Sequence, residues 1–304
     1  MVDLRIELPE GYLDEEIRDG FTVTTQRKKV WAVQLDLLME AYRVCNKYGI
    51  TLLADSGTML GAVRHKGFIP WDDDIDLTVS RSDYKKLCAV SKEFKHPYFF
   101  QTEETDPGSG RGHAQLRNSE TTAILNNEKE TGYTFNQGIF IDIFPYDTVP
   151  DDRSECIELI NKIEKNRNRS ISYAKLFYSK NPGTGYRWFF AHALQIAIKL
   201  FHVRYNNIYY KEMEKDKLTY SGTESHYIAN LYRIENNNPE KLIWKKEWYE
   251  DTVEVPFEFV SIKLPAGYIE YMEMTYGDWK KFVIGGTVHE DILFDTDRSY
   301  REYL

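Results

Sequence analysis

Four acids fall within the six residues Trp71-Asp72-Asp73-Asp74-Ile75-Asp76, inside the longer run SGTMLGAVRHKGFIPWDDDIDLTV, Ser56 to Val79. Residues two apart on a strand share a face, so Asp74 and Asp76 are expected to project together while Ile75, Leu77 and Val79 pack on the other side. Two such carboxylates repel, and burying them without compensation is costly. A divalent cation resolves this. Mg²⁺ (or Mn²⁺) takes oxygen ligands, keeps some waters and is completed by substrate phosphates. A third carboxylate is offered by Asp142 in GIFIDIFPYD, where it stands between Ile141 and Ile143. Asp74, Asp76 and Asp142 are therefore the expected catalytic and metal-binding acids. The plainer alternative is that these acids are surface charges or turn formers, and for Asp72 and Asp73 it is as good as the functional one.

Ser56-Gly57 follows the apolar run ITLLA and is expected to form a turn whose amides approach phosphate oxygens. Arg64, His65 and Lys66 then place cations between that turn and the acids. Arg grips a phosphate at two points and Lys acts as a point charge. Taken alone, a Ser-Gly pair is usually only a turn, and a basic triplet is usually only solvated.

The elements that would position these groups follow from periodicity. Val30, Trp31, Leu35, Leu38, Tyr42 and Cys45 recur at three- and four-residue spacing and predict a helix over Thr24–Tyr48, stopped by Gly49. Strands are expected at Ile50–Ala54, from Asp74 to Val79, at Tyr98–Glu103, His113–Arg117, Thr121–Leu125 and Gly138–Phe144. Short helices are expected at Thr58–Arg64 and at Asp83–Phe94, the latter capped by Ser80. Residues 1–24 read as a surface arm and 25–150 as an α/β catalytic core. Residues 151–304 read as a mainly helical region that binds the acceptor, its end packing back on the core. The segment Trp188–Phe201, WFFAHALQIAIKLF, reads first as a core helix and second as one resting on a membrane.

A chain of 304 residues with 42% hydrophobic and 29% charged residues has an ordinary globular composition. Its net charge of −9 argues against general nucleic-acid binding. Cys45, Cys88 and Cys156 form no CxxC pair, which removes zinc knuckles and dithiol redox motifs and fits a reducing compartment. The acidic start lacks a signal-peptide core, and no apolar run reaches the ~20 residues of a spanning helix. A cytoplasmic protein is expected. GSGRG does not have the spacing of a dinucleotide loop, and Walker A, HExxH and GxSxG patterns are absent.

A Ser-Gly turn followed by a D-x-D strand resembles the nucleotidyltransferase fold. The full run SGTMLGAVRHKGFIPWDDDID resembles the LicD family, which shares this motif with fukutin-type proteins. GIFIDIFPYD resembles its second motif, HAQLRNSETT the strand between, and YMEMTYGDWKKF with the later His289 a weaker C-terminal motif. The resemblance implies an α/β fold with a nucleotidyltransferase-like mixed sheet and flanking helices. It implies a phosphotransferase moving a phospho-alcohol, such as phosphocholine from CDP-choline, onto a sugar hydroxyl of a cell-surface glycan, with release of CMP. Carried over by motif, Asp74, Asp76 and Asp142 become the metal and catalytic acids, and Ser56, Gly57, Arg64, Lys66 and Arg117 hold the diphosphate. The partners implied are a CDP- or CMP-linked donor and a glycan acceptor, one carried on a lipid at the inner membrane face included. Three alternatives fit the same residues: aminoethylphosphonate transfer from a CMP conjugate, nucleotidyl transfer from an NTP, and nucleotide binding without turnover. Asp55 departs from the small or neutral residue the family often has before the Ser-Gly pair.

Overall fold

The computed structural model describes residues 1–108, 110–126, 133–178, 186–200, 208–232, 239–283 and 292–304. The N-terminal arm lies against the body and ends in a small hairpin, β1 (Glu16–Arg18) and β2 (Phe21–Val23). Helix α1 (Thr25–Lys47) follows, with Thr24 Oγ1 capping the Arg27 amide. Its apolar stripe is buried as the spacing predicted. Asp36 on the same helix is also buried; it accepts from the Arg5 and Ile6 amides and from the Tyr98 hydroxyl, which fixes the arm to the core.

Strand β3 (Leu52–Ala54) leads into α2 (Ser56–His65), then β4 (Asp76–Ser80) and α3 (Arg81–Ala89), where Ser80 caps the Asp83 amide. Next come β5 (Tyr98–Gln101), β6 (Ala114–Asn118), β7 (Thr122–Ile124) and the eleven-residue β8 (Ile139–Val149). The second half supplies α4 (Arg153–Tyr178), α5 (Tyr186–Leu200), α6 (Ile208–Lys217), β9 (Tyr227–Ala229) and β10 (Ile243–Lys245). It continues with a β11–β12 hairpin (Thr252–Phe257, Val260–Pro265), α7 (Tyr268–Tyr276) and β13 (Leu293–Asp295), which pairs with β7.

Among the described residues seven strands form the main sheet, and β8 is its organising member. It runs parallel to β4 on one side; on the other it pairs antiparallel first with β6 and then with β9. The sheet therefore continues past Pro150, because β9 and β10 extend it beyond the expected helical boundary. One face is apolar: Ile75, Leu77 and Val79 with Ile139, Ile141 and Ile143 join Leu35, Leu37 and Leu38 of α1 in the main core. A smaller core under α4 and α6 gathers Cys156, Ile160, Ile163, Met213 and Leu231.

Candidate active site

Three stretches of chain converge on the other face of the sheet. In the parallel register of β4 and β8, Asp76 and Asp142 are Cα partners, so both side chains emerge side by side from strands about 4.8 Å apart. The β3–β4 register, continued by the bond from the Asp55 amide to the Asp76 carbonyl, brings Asp55 beside Asp76 on that face. On the far side Gln115 of β6 is the Cα partner of Asp142. Asp55, Asp76, Asp142 and Gln115 thus form one buried row across four strands.

The acidic run itself differs from its strand-period expectation. β4 begins at Asp76, so Asp74 lies in the segment leading into it. Asp72, Asp73 and Asp74 instead form a triplet whose nearest carboxylate oxygens all lie within 4.8 Å of one another. What holds that segment is α1. Arg27 and Trp31 donate to the Asp72 carbonyl at 2.7 and 3.0 Å, and Gln34 donates to the Asp73 carbonyl at 2.7 Å. Positions 27, 31 and 34 make one helical stripe, and with their N–H groups on the backbone carbonyls, the carboxylates are left to crowd together. Burial, then the charges of Asp74 and Asp73, push the Asp72 carboxyl well above its usual range. An all-oxygen set under this strain fits a hard divalent cation.

Ser56 and Gly57 open α2 instead of forming a separate turn, because Asp55 is the N-cap and accepts the Ser56 amide at 2.8 Å. Ser56 has φ of 49°, a left-handed conformation that is strained for a residue with a side chain. Amides in a first helical turn have no preceding helical carbonyl to reach, so those of Gly57 and Thr58 are oriented to bind an anion. Gly57 leaves room for Asp72: a Cβ there would stand 2.8 Å from Asp72 Oδ2. The Thr58 hydroxyl accepts the Asp76 amide and ties this helix start to the acid row. Asp55, fully buried, is also held from the second half of the chain, by Tyr271 of α7 at 2.8 Å and by Asn230 at 3.3 Å.

The basic residues are placed differently from their expected roles. Arg64 and Lys66 lie at the C-terminal end of α2, about 15 Å of helix from Ser56. Lys66 is exposed, and Arg64 contacts His65, the Trp279 carbonyl and the Phe282 ring. Arg117 is only 1% exposed; its guanidinium donates to Gln101, to the Gly138 carbonyl and to Gln115 Oε1, and lies over Phe140. Rather than facing a diphosphate, it fixes Gln115, which donates to Asp142 Oδ1 at 2.7 Å. His113 Nε2 meets the same oxygen at 2.9 Å. His113 and Gln115 were missed as site residues, although the alternation in HAQLR is the pattern of a strand with one polar face. Trp71 packs in an aromatic group with Phe21, His65 and Phe282. His289 lies outside the described residues.

A buried acid row on a mixed sheet, next to a helix start with open amides, is the arrangement of a nucleotidyltransferase-type fold. Residues 49–177 match the family model for the LicD/FKTN/FKRP nucleotidyltransferase domain. The chain is 28% identical over 256 residues to the lipopolysaccharide cholinephosphotransferase LicD of Haemophilus influenzae, covering 82% of this chain and 89% of that protein. It is also 37% identical over 59 residues to uncharacterized proteins of Rickettsia prowazekii and Rickettsia typhi, 19% of this chain and 22% and 19% of theirs.

Proposed function

We propose that the chain is a LicD-type phosphotransferase that moves a phospho-alcohol of the phosphocholine kind from a CDP-linked donor to a sugar hydroxyl of a cell-surface glycan, releasing CMP. The carrying observation is the similarity to the cholinephosphotransferase, which runs through the acid row and most of the remaining chain. In this reading Asp74, Asp76 and Asp142 hold Mg²⁺ or Mn²⁺. Bound there, the ion would neutralise diphosphate charge and orient the leaving group.

The protein's own groups have separable tasks. The start of α2, with Ser56, Gly57 and the Thr58 amide, receives phosphate oxygens. Asp142 has one oxygen fixed by His113 and Gln115, which sets the carboxylate plane. With its Nε2–H on that carboxylate, His113 keeps the Nδ1 lone pair, and the Asp142–His113 pair accepts the proton of the attacking hydroxyl. Arg64 and Lys66, remote from the helix start, are assigned to the wider approach for an anionic substrate and not to the diphosphate. Use of a nucleotide-linked donor places the reaction in the cytoplasm, at the inner membrane face if the acceptor is carried on a lipid.

The test is a screen of CDP- and CMP-linked donors for CMP release with Mg²⁺ and with chelator. CMP from CDP-choline that stops with chelator and with Asp76→Asn supports the reading. Pyrophosphate release from an NTP would replace it with nucleotidyl transfer.

A further inference from the structure

Helix α5 buries only a narrow face, with Ile198 and the polar Gln195, which donates to the Leu176 and Phe177 carbonyls at the end of α4, while most of its large apolar side chains face solvent. Phe189 is 67% exposed, Phe190 71%, Leu194 53% and Leu200 71%. At 100° per residue these four and Ile196 fall within an arc of about 160°, opposite Gln195. The expected core helix is therefore not what the sequence forms, and contiguous exposure on this scale marks an interaction surface.

Charge identifies what the surface meets. From Lys165 to Lys211 there are nine Lys and Arg and no Asp or Glu, in a chain whose net charge is −9. The remaining 257 residues thus carry −18. Lys165, Arg169 and Lys175 of α4 and Lys199 of α5 are exposed. Among the described residues no helix is long and apolar enough to span a bilayer. An apolar helical face flanked by cations matches an interfacial helix lying in an anionic lipid surface.

We propose that α5, with the basic half of α4, docks the protein on the surface of an anionic bilayer, with Phe189, Phe190, Leu194 and Leu200 inserted at headgroup depth. The docking is independent of the reaction assigned above. The full chain is sedimented with vesicles of phosphatidylcholine alone and with about 30% phosphatidylglycerol. Binding is expected only to the anionic vesicles and should weaken in about 0.5 M salt. The combined substitution Phe189→Asn, Phe190→Asn, Leu194→Asn, which touches only exposed side chains, should reduce the partition coefficient at least about tenfold. Far-UV circular dichroism checks its fold. Lys165→Gln, Arg169→Gln, Lys175→Gln, leaving the apolar arc intact, should also lose at least about tenfold on anionic vesicles. The proposal is overturned if the chain stays in the supernatant, if it binds both vesicle types equally, or if neither variant changes binding. Vesicle-free self-association abolished by the Phe189/Phe190/Leu194 substitutions would make a second copy the occupant instead.

Discussion

Replacing Asp76 with Asn should make the metal-free protein more stable while abolishing its turnover. Asp76 stands between Asp55 and Asp142, one strand spacing from each. Two like charges about 5 Å apart at an effective dielectric near 20 repel by about 3 kcal/mol. Removing the central charge relieves both pairs. The bonds that already stabilise the neighbours, from Tyr271 and Asn230 to Asp55 and from His113 and Gln115 to Asp142, reduce the gain. A net stabilisation of about 1–3 kcal/mol remains, or a rise in Tm of about 3–8 °C for a chain of this size. Thermal melts in chelator measure it directly. Mg²⁺ at about 100 times its Kd should add about 2.7 kcal/mol to the parent and far less to the variant, so the order of stability narrows or reverses with metal. Turnover should fall by on the order of 10³-fold, the loss of about 4 kcal/mol of transition-state stabilisation. An Asp76→Asn protein that melts below the parent in chelator, or turns over near the parent rate, refutes the reasoning.

Gln115→Leu leaves the buried Arg117 guanidinium short of an acceptor and Asp142 short of a donor, so it should lower stability by about 3 kcal/mol and turnover by about 10–100-fold, read by melts and CMP release. Gly57→Ala brings a methyl to 2.8 Å from Asp72 Oδ2, crowding Asp72 against Asp74, one of the acids assigned to the metal, and should weaken Mg²⁺ binding in a titration while changing Tm little. Lys217 is fully buried beside Glu214, and burial lowers its ammonium to about 8. Below pH 8 the cost of its buried charge is present in full; from pH 8 to about 10 the folded state sheds the proton first, so stability rises with pH. Equilibrium unfolding should detect this rise in the parent and its loss in Lys217→Met.

The elements with strong periodicity were legible before any coordinates. Helix α1 and strands β3 to β6 lie close to their predicted ranges because each carries a continuous apolar stripe. Which strands pair, and in what register, is a tertiary fact: nothing local to GIFIDIFPYD specifies that Asp142 stands opposite Asp76 and Gln115. The first helical residue of α2 was readable in principle, since Asp55 is a good N-cap, but the Ser-Gly pair suggested a turn. Strands β9 and β10 are short and fall in a region whose sequence reads as mainly helical, so their addition to the sheet went unseen. Arg117 looked like a substrate ligand because sequence cannot tell an inward guanidinium from an outward one. The acid triplet at Asp72–Asp74 depends on the clamp from Arg27, Trp31 and Gln34, some forty residues earlier.

The hydroxyl of Tyr271 reaches back across 216 positions of chain to Asp55. Chimeras that exchange the back half of one such enzyme for another, in order to swap what is modified, would therefore disturb more than the choice of target. Unless the incoming half supplies its own tyrosine at that place, the graft loosens the residue that caps the start of α2. An inactive hybrid would then report a lost contact between the two halves of the chain, rather than a wrong choice of target.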